Sequence, residues 1–213
     1  MKHENIVIFG DSYSTYEGHI PDGYAVYYSG HREKEPDVYD AAKTWWGRLL
    51  EATESTLVQN NSWSGSTIGY TGYNNSDCSG TSSFIHRFKK LAGEGFFEKN
   101  KIDTLFVFGG TNDSWSGAPL GELKYDGIEE NDLYFVLPAI SYFAKLLSET
   151  LAGTKIVFIA NCDIKSEITG AMRSVCEHYG YTYVALSDID KLNGHPTELG
   201  MEQIFEQVLA GIR

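Results

Sequence analysis

Five short runs of apolar, β-branched and aromatic residues recur along the chain, and longer segments of helical character separate them. A run that is apolar at nearly every position is typical of a strand buried on both faces of a parallel sheet. Strands that alternate with helices form parallel βαβ units, which wind into a sheet with helices on both faces. The pattern therefore predicts an α/β protein with strands at residues 5–9, 56–59, 104–108, 155–160 and 182–186.

Two segments show the three-and-four spacing of a helix with one buried face. Pro138 interrupts the first, and we expect it in the first turn of a longer helix that follows a shorter helical turn, because proline is tolerated there. The second segment closes the chain, with Thr197 as its expected N-cap. The apolar positions are Leu133, Val136, Leu137, Ile140, Phe143, Ala144, Leu147 and Leu151 in the first segment, and Met201, Ile204, Phe205, Val208, Leu209 and Ile212 in the second.

Length, charge and cysteine usage narrow the classes of function. With 213 residues we expect one domain over residues 1–213, and the formal charge of −12 disfavours nucleic acid and anionic lipid as partners. No apolar run approaches the roughly 20 residues that span a bilayer, and we expect a cytoplasmic protein. The three cysteines show no CxxC or Cys/His ligand spacing, which predicts reduced thiols rather than disulfides or a zinc site.

Two polar segments match neither a helix nor a strand pattern, and the first of them, residues 13–43, is too long for an ordinary connection. Residues 13–43 contain six tyrosines among Gly, Pro, Asp and His, and we interpret them as an inserted loop or lid. Residues 60–83 are rich in Asn, Ser, Gly and Thr, as a flexible linker would be, but they lie between a predicted strand and a helix that begins near Phe84. We therefore place no domain boundary in either segment.

A polar cluster follows each of four predicted strands. In an open parallel sheet the ligand site lies beyond the carboxyl ends of the strands, so these clusters should meet at one edge. The clusters are Gly10-Asp11-Ser12, residues 60–65 (NNSWSG), residues 109–113 (GGTND) and residues 188–195 (DIDKLNGH). Their side chains are the candidates for a functional site.

These clusters contain the groups that acyl transfer requires. Ser12 follows a rigid strand, and its hydroxyl becomes a nucleophile when a base within reach takes its proton. His195 is the best-placed base, because it lies in the last strand-to-helix loop. The developing oxyanion needs hydrogen-bond donors, and we expect them from the Ser12 N–H, the Gly65 N–H and the side-chain amide of Asn112.

The four clusters resemble the sequence blocks of the SGNH/GDSL hydrolases, a family named for its Ser, Gly, Asn and His residues. The blocks follow the family order from end to end of the chain: Gly10-Asp11-Ser12, Asn60-x-Ser62-x-Ser64-Gly65, Gly110-Thr111-Asn112-Asp113 and His195-Pro196. The resemblance implies Ser12 as nucleophile, His195 as base, and Gly65 and Asn112 as oxyanion donors. It also implies an esterase or lipase activity and a three-layer α/β/α sandwich around a five-stranded, mostly parallel, flavodoxin-like sheet.

The acid that would orient His195 is not where this family usually has it. An aspartate normally lies three residues before the histidine, and this chain has Leu192 there. Asp190 and Asp188 lie five and seven residues before His195, and a looped backbone could bring either carboxylate to the ring. A backbone carbonyl, such as that of Leu192, would serve instead in a Ser-His dyad. We favour Asp190 as the third catalytic residue.

Several other side chains are candidates for contacts at the site. Trp63 and Trp115 lie inside the site loops, where we expect them to bind substrate by stacking on a sugar ring or lining an acyl pocket; plain loop packing is the alternative. His19 and His31 belong to the inserted loop and are reserve candidates for substrate contacts. Asp113 is expected to brace its loop without touching substrate.

We therefore predict a serine esterase that hydrolyses short-chain esters, acetyl esters above all, through an acyl-enzyme intermediate. The polar loops and the acidic surface favour a neutral or cationic hydroxylic leaving group, such as an acetylated sugar. A lysophospholipase or thioesterase with a longer acyl pocket is the alternative enzyme, and a catalytically weak carbohydrate-binding relative is the alternative without turnover. The predicted mechanism needs no metal or organic cofactor.

Overall fold

A five-stranded sheet organises the computed structural model, which describes residues 2–31 and 36–213. Its strands are β1 (Asn5–Gly10), β2 (Thr56–Ser62), β3 (Thr104–Gly109), β4 (Lys155–Ala160) and β5 (Thr182–Ala185). Every neighbouring pair is parallel, and the strand order is β2-β1-β3-β4-β5. This is the predicted flavodoxin-like order: β2 is added on one side of β1 and the later strands on the other, so the strand order reverses between β1 and β3 and leaves a crevice beyond their carboxyl ends.

Seven α-helices occur in the described part of the chain. They are α1 (Trp45–Thr53), α2 (Phe84–Gly93), α3 (Phe96–Lys99), α4 (Thr111–Trp115), α5 (Val136–Thr150), α6 (Ser166–Tyr179) and α7 (Glu198–Gly211). Pro138 lies in the first turn of α5, and a short 3₁₀ turn over Glu130–Tyr134 precedes it, as predicted. Thr197 caps α7, as predicted, because its hydroxyl accepts a hydrogen bond from the Gly200 N–H over 3.1 Å. None of these helices is long and apolar enough to cross a membrane.

Helices cover both faces of the sheet. Successive strand residues face opposite sides, as strand geometry requires. On one side, Val7 and Phe9 lie in an apolar cluster with residues of α2, α5 and α6. On the other side, Ile6 and Ile8 lie in a cluster with residues of α1 and α7. The predicted three-layer α/β/α sandwich is therefore confirmed.

The tyrosine-rich segment 13–43 packs partly into the core, although it was predicted as an inserted loop or lid. Tyr13, Tyr28 and Val38 are fully buried, and they belong to the apolar cluster on the α1 and α7 side of the sheet. Residues 32–35 of the segment lie outside the described residues. Buried side chains thus anchor the described part of this segment to the sandwich.

β2 continues three residues past its predicted end at Gln59. The additional residues stay in register beside β1. Buried polar groups are tolerated when they are hydrogen-bonded, and these are: Asn60 Nδ2 donates to the Ser14 carbonyl over 2.7 Å, and Asn61 Oδ1 accepts from Arg87 over 2.6 Å. The strand prediction was therefore too short because tertiary contacts pair the polar side chains.

Candidate active site

Ser12 lies just beyond the carboxyl end of β1, in a tight turn that fixes its position. The Asp11 carboxylate accepts a hydrogen bond from the Tyr13 N–H over 3.0 Å, so Asp11 caps the 3₁₀ turn Ser12–Ser14. The Thr15 hydroxyl donates to the Ser12 carbonyl over 2.9 Å. Ser12 itself is only 4% exposed. The candidate nucleophile is therefore held by a rigid and largely buried backbone.

A two-residue hairpin presents His195. Its strands are β6 (Lys191–Leu192) and β7 (His195–Pro196). They pair antiparallel, with Leu192 opposite His195. Asn193 and Gly194 form the turn, and both have positive φ, 50° and 82°, as a type I′ hairpin turn requires. Leu192, three residues before the histidine where the SGNH/GDSL pattern usually has an aspartate, is therefore paired with His195 across the hairpin.

Two tyrosines hold this hairpin in place. The Tyr13 hydroxyl donates to the Gly194 carbonyl over 2.6 Å, and the Tyr28 hydroxyl donates to the Pro196 carbonyl over 3.1 Å. Tyr13 also belongs to the turn that carries the candidate nucleophile. The loop of the histidine and the turn of the serine are therefore linked directly.

Ser12 and His195 come together at this edge of the sheet. His195 Nε2 lies 3.1 Å from Ser12 Oγ, which is hydrogen-bond distance. Nδ1, on the other side of the ring, lies 3.3 Å from the carbonyl oxygen of Asn193. A carbonyl can only accept, so this contact favours the tautomer with the proton on Nδ1 and the lone pair on Nε2. That tautomer is the one a general base needs.

The Asp190 carboxylate contacts the start of α7 and does not contact the imidazole of His195. Its carboxylate accepts a hydrogen bond from the hydroxyl of Thr197, the cap of that helix. Asp188 is exposed, with a positive φ of 53°. The contact found at Nδ1 is a backbone carbonyl, as in the dyad alternative, but it comes from Asn193 rather than Leu192. The reason is the hairpin turn, which directs the Asn193 carbonyl toward the ring.

We expect Asp190→Asn to change kcat little, because an asparagine oxygen can still accept from the Thr197 hydroxyl. An aspartate that orients a catalytic histidine would instead cost on the order of 10⁴-fold when changed to asparagine. The measurement is kcat for 4-nitrophenyl acetate, with Asp188→Asn as the matched control. A large loss in Asp190→Asn alone would return this residue to the catalytic triad.

Three hydrogen-bond donors are available for an oxyanion. Within residues 2–31 and 36–213, neither the Ser12 N–H nor the Gly65 N–H donates to another backbone or side-chain group. Gly65 is exposed and has a φ of 78°, which favours glycine. Asn112 is 3% exposed, and its Nδ2 donates to the Ser66 carbonyl over 3.0 Å. An amide nitrogen carries two hydrogens, so the second is available to substrate.

Hydrogen bonds tie the loop of Gly65 to the end of β1 and to α4, the helix that follows β3. The Trp63 N–H donates to the Gly10 carbonyl at the end of β1 over 3.1 Å. The Ser66 carbonyl accepts from Asn112 in α4, directly after β3. The predicted clusters after the first three strands therefore meet at one edge, and His195 joins them through its contact with Ser12.

A buried cation, Arg87, holds the backbone beneath the site. Its guanidinium donates to the carbonyl groups of Asn61 and Gly10 and lies 5.1 Å from the centre of the Trp63 ring. Tyr24 packs on the same ring, with 5.0 Å between ring centroids. Trp63, predicted to bind substrate, thus has the packing contacts of a loop anchor, and a role in substrate binding stays a prediction.

Two buried carboxyl groups brace the loops. Asp113 accepts from the N–H groups of Ile68 and Gly69 over 3.0 and 3.2 Å, which is the bracing role expected of it. Burial raises the pKa of Asp113 to about 6 and that of Asp11 to about 7. Because an unfolded aspartate has a pKa of about 4, these groups stabilise the fold most when protonated, and their contribution to the free energy of unfolding falls as the pH rises from about 4 to about 6 for Asp113 and about 7 for Asp11.

Aromatic rings surround the imidazole. Tyr27, from the tyrosine-rich segment, stacks on His195 with 3.7 Å between ring centroids and 19° between ring planes. Trp115 approaches the imidazole edge-on at 6.4 Å and is 42% exposed, at the rim where a substrate contact was predicted. A cation over an aromatic face gains roughly 0.5–2 kcal/mol. Tyr27, which the sequence did not single out, therefore favours the imidazolium that forms when the nucleophile loses its proton.

His19 and His31, the reserve candidates for substrate contacts, have surroundings that differ from those of His195. His19 packs edge-on against Trp46 of α1, with 5.4 Å between ring centroids, and His31 is exposed. Within the residues that the structure describes, no three His, Cys, Asp or Glu side chains are grouped so that they could hold a metal ion.

Comparisons with known proteins find similarities in sequence and in fold. A family model described as GDSL-like Lipase/Acylhydrolase matches residues 4–212, whereas no curated protein matches the chain. A Bacteroides ovatus protein described as a GDSL-like lipase is 39% identical, with 100% of this chain and 99% of that chain covered and a TM-score of 0.90. A Bacteroides uniformis protein with the same description is 40% identical, with coverages of 99% and 95% and a TM-score of 0.88. The fold also resembles that of an acetyl xylan esterase from Butyrivibrio proteoclasticus, at 15% identity, coverages of 100% and 64% and a TM-score of 0.62.

Proposed function

The chain belongs to the GDSL-like lipase/acylhydrolase family and is an ester-bond hydrolase, and we propose that it cleaves short acyl esters through an acyl-enzyme formed on Ser12. The observation that carries this proposal is the 3.1 Å contact between Ser12 Oγ and His195 Nε2. A hydroxyl at this distance from a neutral imidazole lone pair is set for proton transfer as it attacks.

Acylation begins when His195 Nε2 takes the proton from Ser12 Oγ, and Oγ forms a bond to the acyl carbonyl carbon. The carbonyl oxygen becomes an oxyanion, which accepts hydrogen bonds from the Ser12 N–H, the Gly65 N–H and Asn112 Nδ2. The imidazolium is stabilised by the Asn193 carbonyl at Nδ1 and by the Tyr27 ring over its face. Collapse of the intermediate breaks the bond to the alkoxide, which receives the proton from Nε2.

Deacylation repeats these steps with water as the nucleophile. His195 takes a proton from water, the hydroxide attacks the acyl carbon, and the same three donors hold the oxyanion. The bond to Ser12 Oγ then breaks, and Oγ recovers its proton from the imidazolium. Each proton removed by His195 is returned within the same half-reaction, so the cycle leaves the enzyme unchanged.

A small acyl group fits the limited access to the catalytic pair. Ser12 is 4% exposed and His195 is 8% exposed, and the Tyr27 ring covers one face of the imidazole. An acetyl group needs little space around the nucleophile, whereas a long acyl chain needs an apolar groove that leads away from it. We therefore favour acetyl esters over the long-chain esters of a lysophospholipase or thioesterase.

A carbohydrate is the leaving group that the rim of the site favours. Trp115 exposes 42% of its surface beside His195, and a flat aromatic surface of this kind can stack on a sugar ring. The formal charge of −12 disfavours anionic headgroups as substrates. The similarity in fold to a protein named as an acetyl xylan esterase supports the same choice.

A panel of 4-nitrophenyl esters from acetyl to decanoyl tests the acyl preference. We expect kcat/KM to be highest for the acetyl ester and to fall as the chain lengthens, because the buried pair leaves little room beside it. Acetate release from acetylated xylo-oligosaccharides tests the leaving group, with Ser12→Ala protein as the blank. A kcat/KM that rises toward the decanoyl ester would overturn the short-chain proposal and favour the long-acyl alternative.

A further inference from the structure

The Asn112 side-chain amide is held by two groups from the loop that follows β2. Its Nδ2 donates to the Ser66 carbonyl over 3.0 Å, and its Oδ1 accepts from the Tyr73 hydroxyl over 2.8 Å. Both distances are those of good hydrogen bonds. The amide plane is therefore defined by one contact at its nitrogen and another at its oxygen.

The Ser66 carbonyl determines which end of the amide is which. A carbonyl has no hydrogen to donate, so only the amide nitrogen of Asn112 can pair with it. Oδ1 then faces Tyr73, whose hydroxyl must act as the donor. One of the two Nδ2 hydrogens is donated to the Ser66 carbonyl. Because both hydrogens lie in the amide plane, this contact also fixes the direction of the second hydrogen.

A closed turn presents the Tyr73 ring. The Gly72 N–H donates to the Ser76 carbonyl over 2.8 Å, and the Ser76 N–H donates to the Tyr73 carbonyl over 3.1 Å. A Cβ at Gly72 would lie 2.6 Å from Cys78 Sγ, so a larger residue at this position would displace that side chain. The Thr71 hydroxyl also donates to the Tyr134 carbonyl over 2.8 Å. These contacts hold the base of the tyrosine in one place.

The Tyr73 hydroxyl keeps its proton at the pH values where an esterase works. Burial, and after it the charge of the nearby Asp11 carboxylate, raise the pKa of Tyr73 to about 12. The phenol is therefore a hydrogen-bond donor throughout the neutral range, as the contact with Asn112 Oδ1 requires. The ring is still 40% exposed, so direct contact with substrate is the competing role that a test must separate.

We propose that Tyr73 is a positioning residue of the oxyanion hole, which holds the Asn112 amide so that its second Nδ2 hydrogen points to the developing oxyanion. None of the four family-like sequence blocks includes Tyr73, which lies between the second block and the third. The inference rests on the proposed serine-esterase function and adds one residue to its machinery.

Tyr73→Phe tests the proposal, since it removes the hydroxyl and keeps the ring. We expect kcat and kcat/KM for 4-nitrophenyl acetate to fall together by roughly 3- to 10-fold, the size of one hydrogen bond, with KM unchanged. In an Asn112→Ala background the same change should have no further effect, because the group that it positions is gone. Tyr125→Phe is the matched control, because that ring stacks on His178 and does not belong to the site.

Three results separate the possible failures. A Tyr73→Phe enzyme with wild-type kcat, or one whose loss persists undiminished in the Asn112→Ala background, overturns the positioning role. A loss confined to KM overturns it as well and assigns Tyr73 to substrate contact. Thermal unfolding of each variant shows that the fold is kept. Failure of the underlying function is a different observation, namely wild-type protein that neither hydrolyses 4-nitrophenyl acetate nor takes up a fluorophosphonate label.

Discussion

Ser12→Ala should abolish hydrolysis of 4-nitrophenyl acetate, with kcat falling by at least about 10⁴-fold. The change removes the oxygen that forms the acyl-enzyme, so the remaining His195 and oxyanion donors can only assist direct attack by water. The fold should be kept, because the turn is held by Asp11 and Thr15 contacts to backbone groups and not by the Ser12 hydroxyl. Thermal unfolding followed by circular dichroism checks this.

Two further measurements make the Ser12 result decisive. A fluorophosphonate should add its mass to the wild-type peptide that contains Ser12, and the Ser12→Ala protein should stay unlabelled. Ser166→Ala is the matched control, since that hydroxyl is exposed and contacts Glu167 at the start of α6. Retention of wild-type kcat in Ser12→Ala would rule out the acyl-enzyme route and leave His195 to activate water directly.

Asn112→Ala should lower kcat by roughly 10²- to 10³-fold, the loss typical of removing one oxyanion-hole donor. KM should change little, because the donor is expected to bind the oxyanion and not the ground-state ester. The same change also removes the hydrogen bond to the Ser66 carbonyl, which would cost about 1 kcal/mol of unfolding free energy. Kinetics and unfolding must therefore be measured on the same preparation.

Asn100→Ala supplies the control for Asn112→Ala. The Asn100 amide, just after the end of α3, donates to the carbonyl of Phe96, the first residue of that helix, so its loss removes a comparable side-chain hydrogen bond elsewhere. We expect a small loss of stability and an unchanged kcat. If Asn112→Ala behaved in the same way, Asn112 would be a loop residue whose amide only supports the Ser66 carbonyl.

The strands and the meeting of the polar clusters were predictable because their signals are local. An apolar run such as residues 104–108 is buried wherever the sheet forms, and the polar residues after it must emerge at the carboxyl edge. Thr197 capped the last helix, as predicted, for an equally local reason. Each of these features depends on neighbours a few residues away, which the sequence displays.

Two features that were missed had signals of their own. Asn193-Gly194 is a strong signal for a type I′ hairpin, and recognising it would have placed Leu192 opposite His195 and removed the need to loop Asp190 back to the ring. Arg87 lies on the apolar face of α2, three residues after Phe84 and four before Leu91. A charged residue at such a position indicates a buried cation with polar partners.

The sequence by itself determined the order of the strands and helices, and it singled out Ser12, Gly65, Asn112 and His195 as candidates, because backbone preferences and burial act over short stretches. Only the tertiary structure decided what surrounds those groups. Tyr27 and His195 are far apart in the chain but stack at 3.7 Å, and Tyr73 reaches Asn112 across 39 positions. Side chains from distant segments meet only after the core has packed, so no local pattern records them.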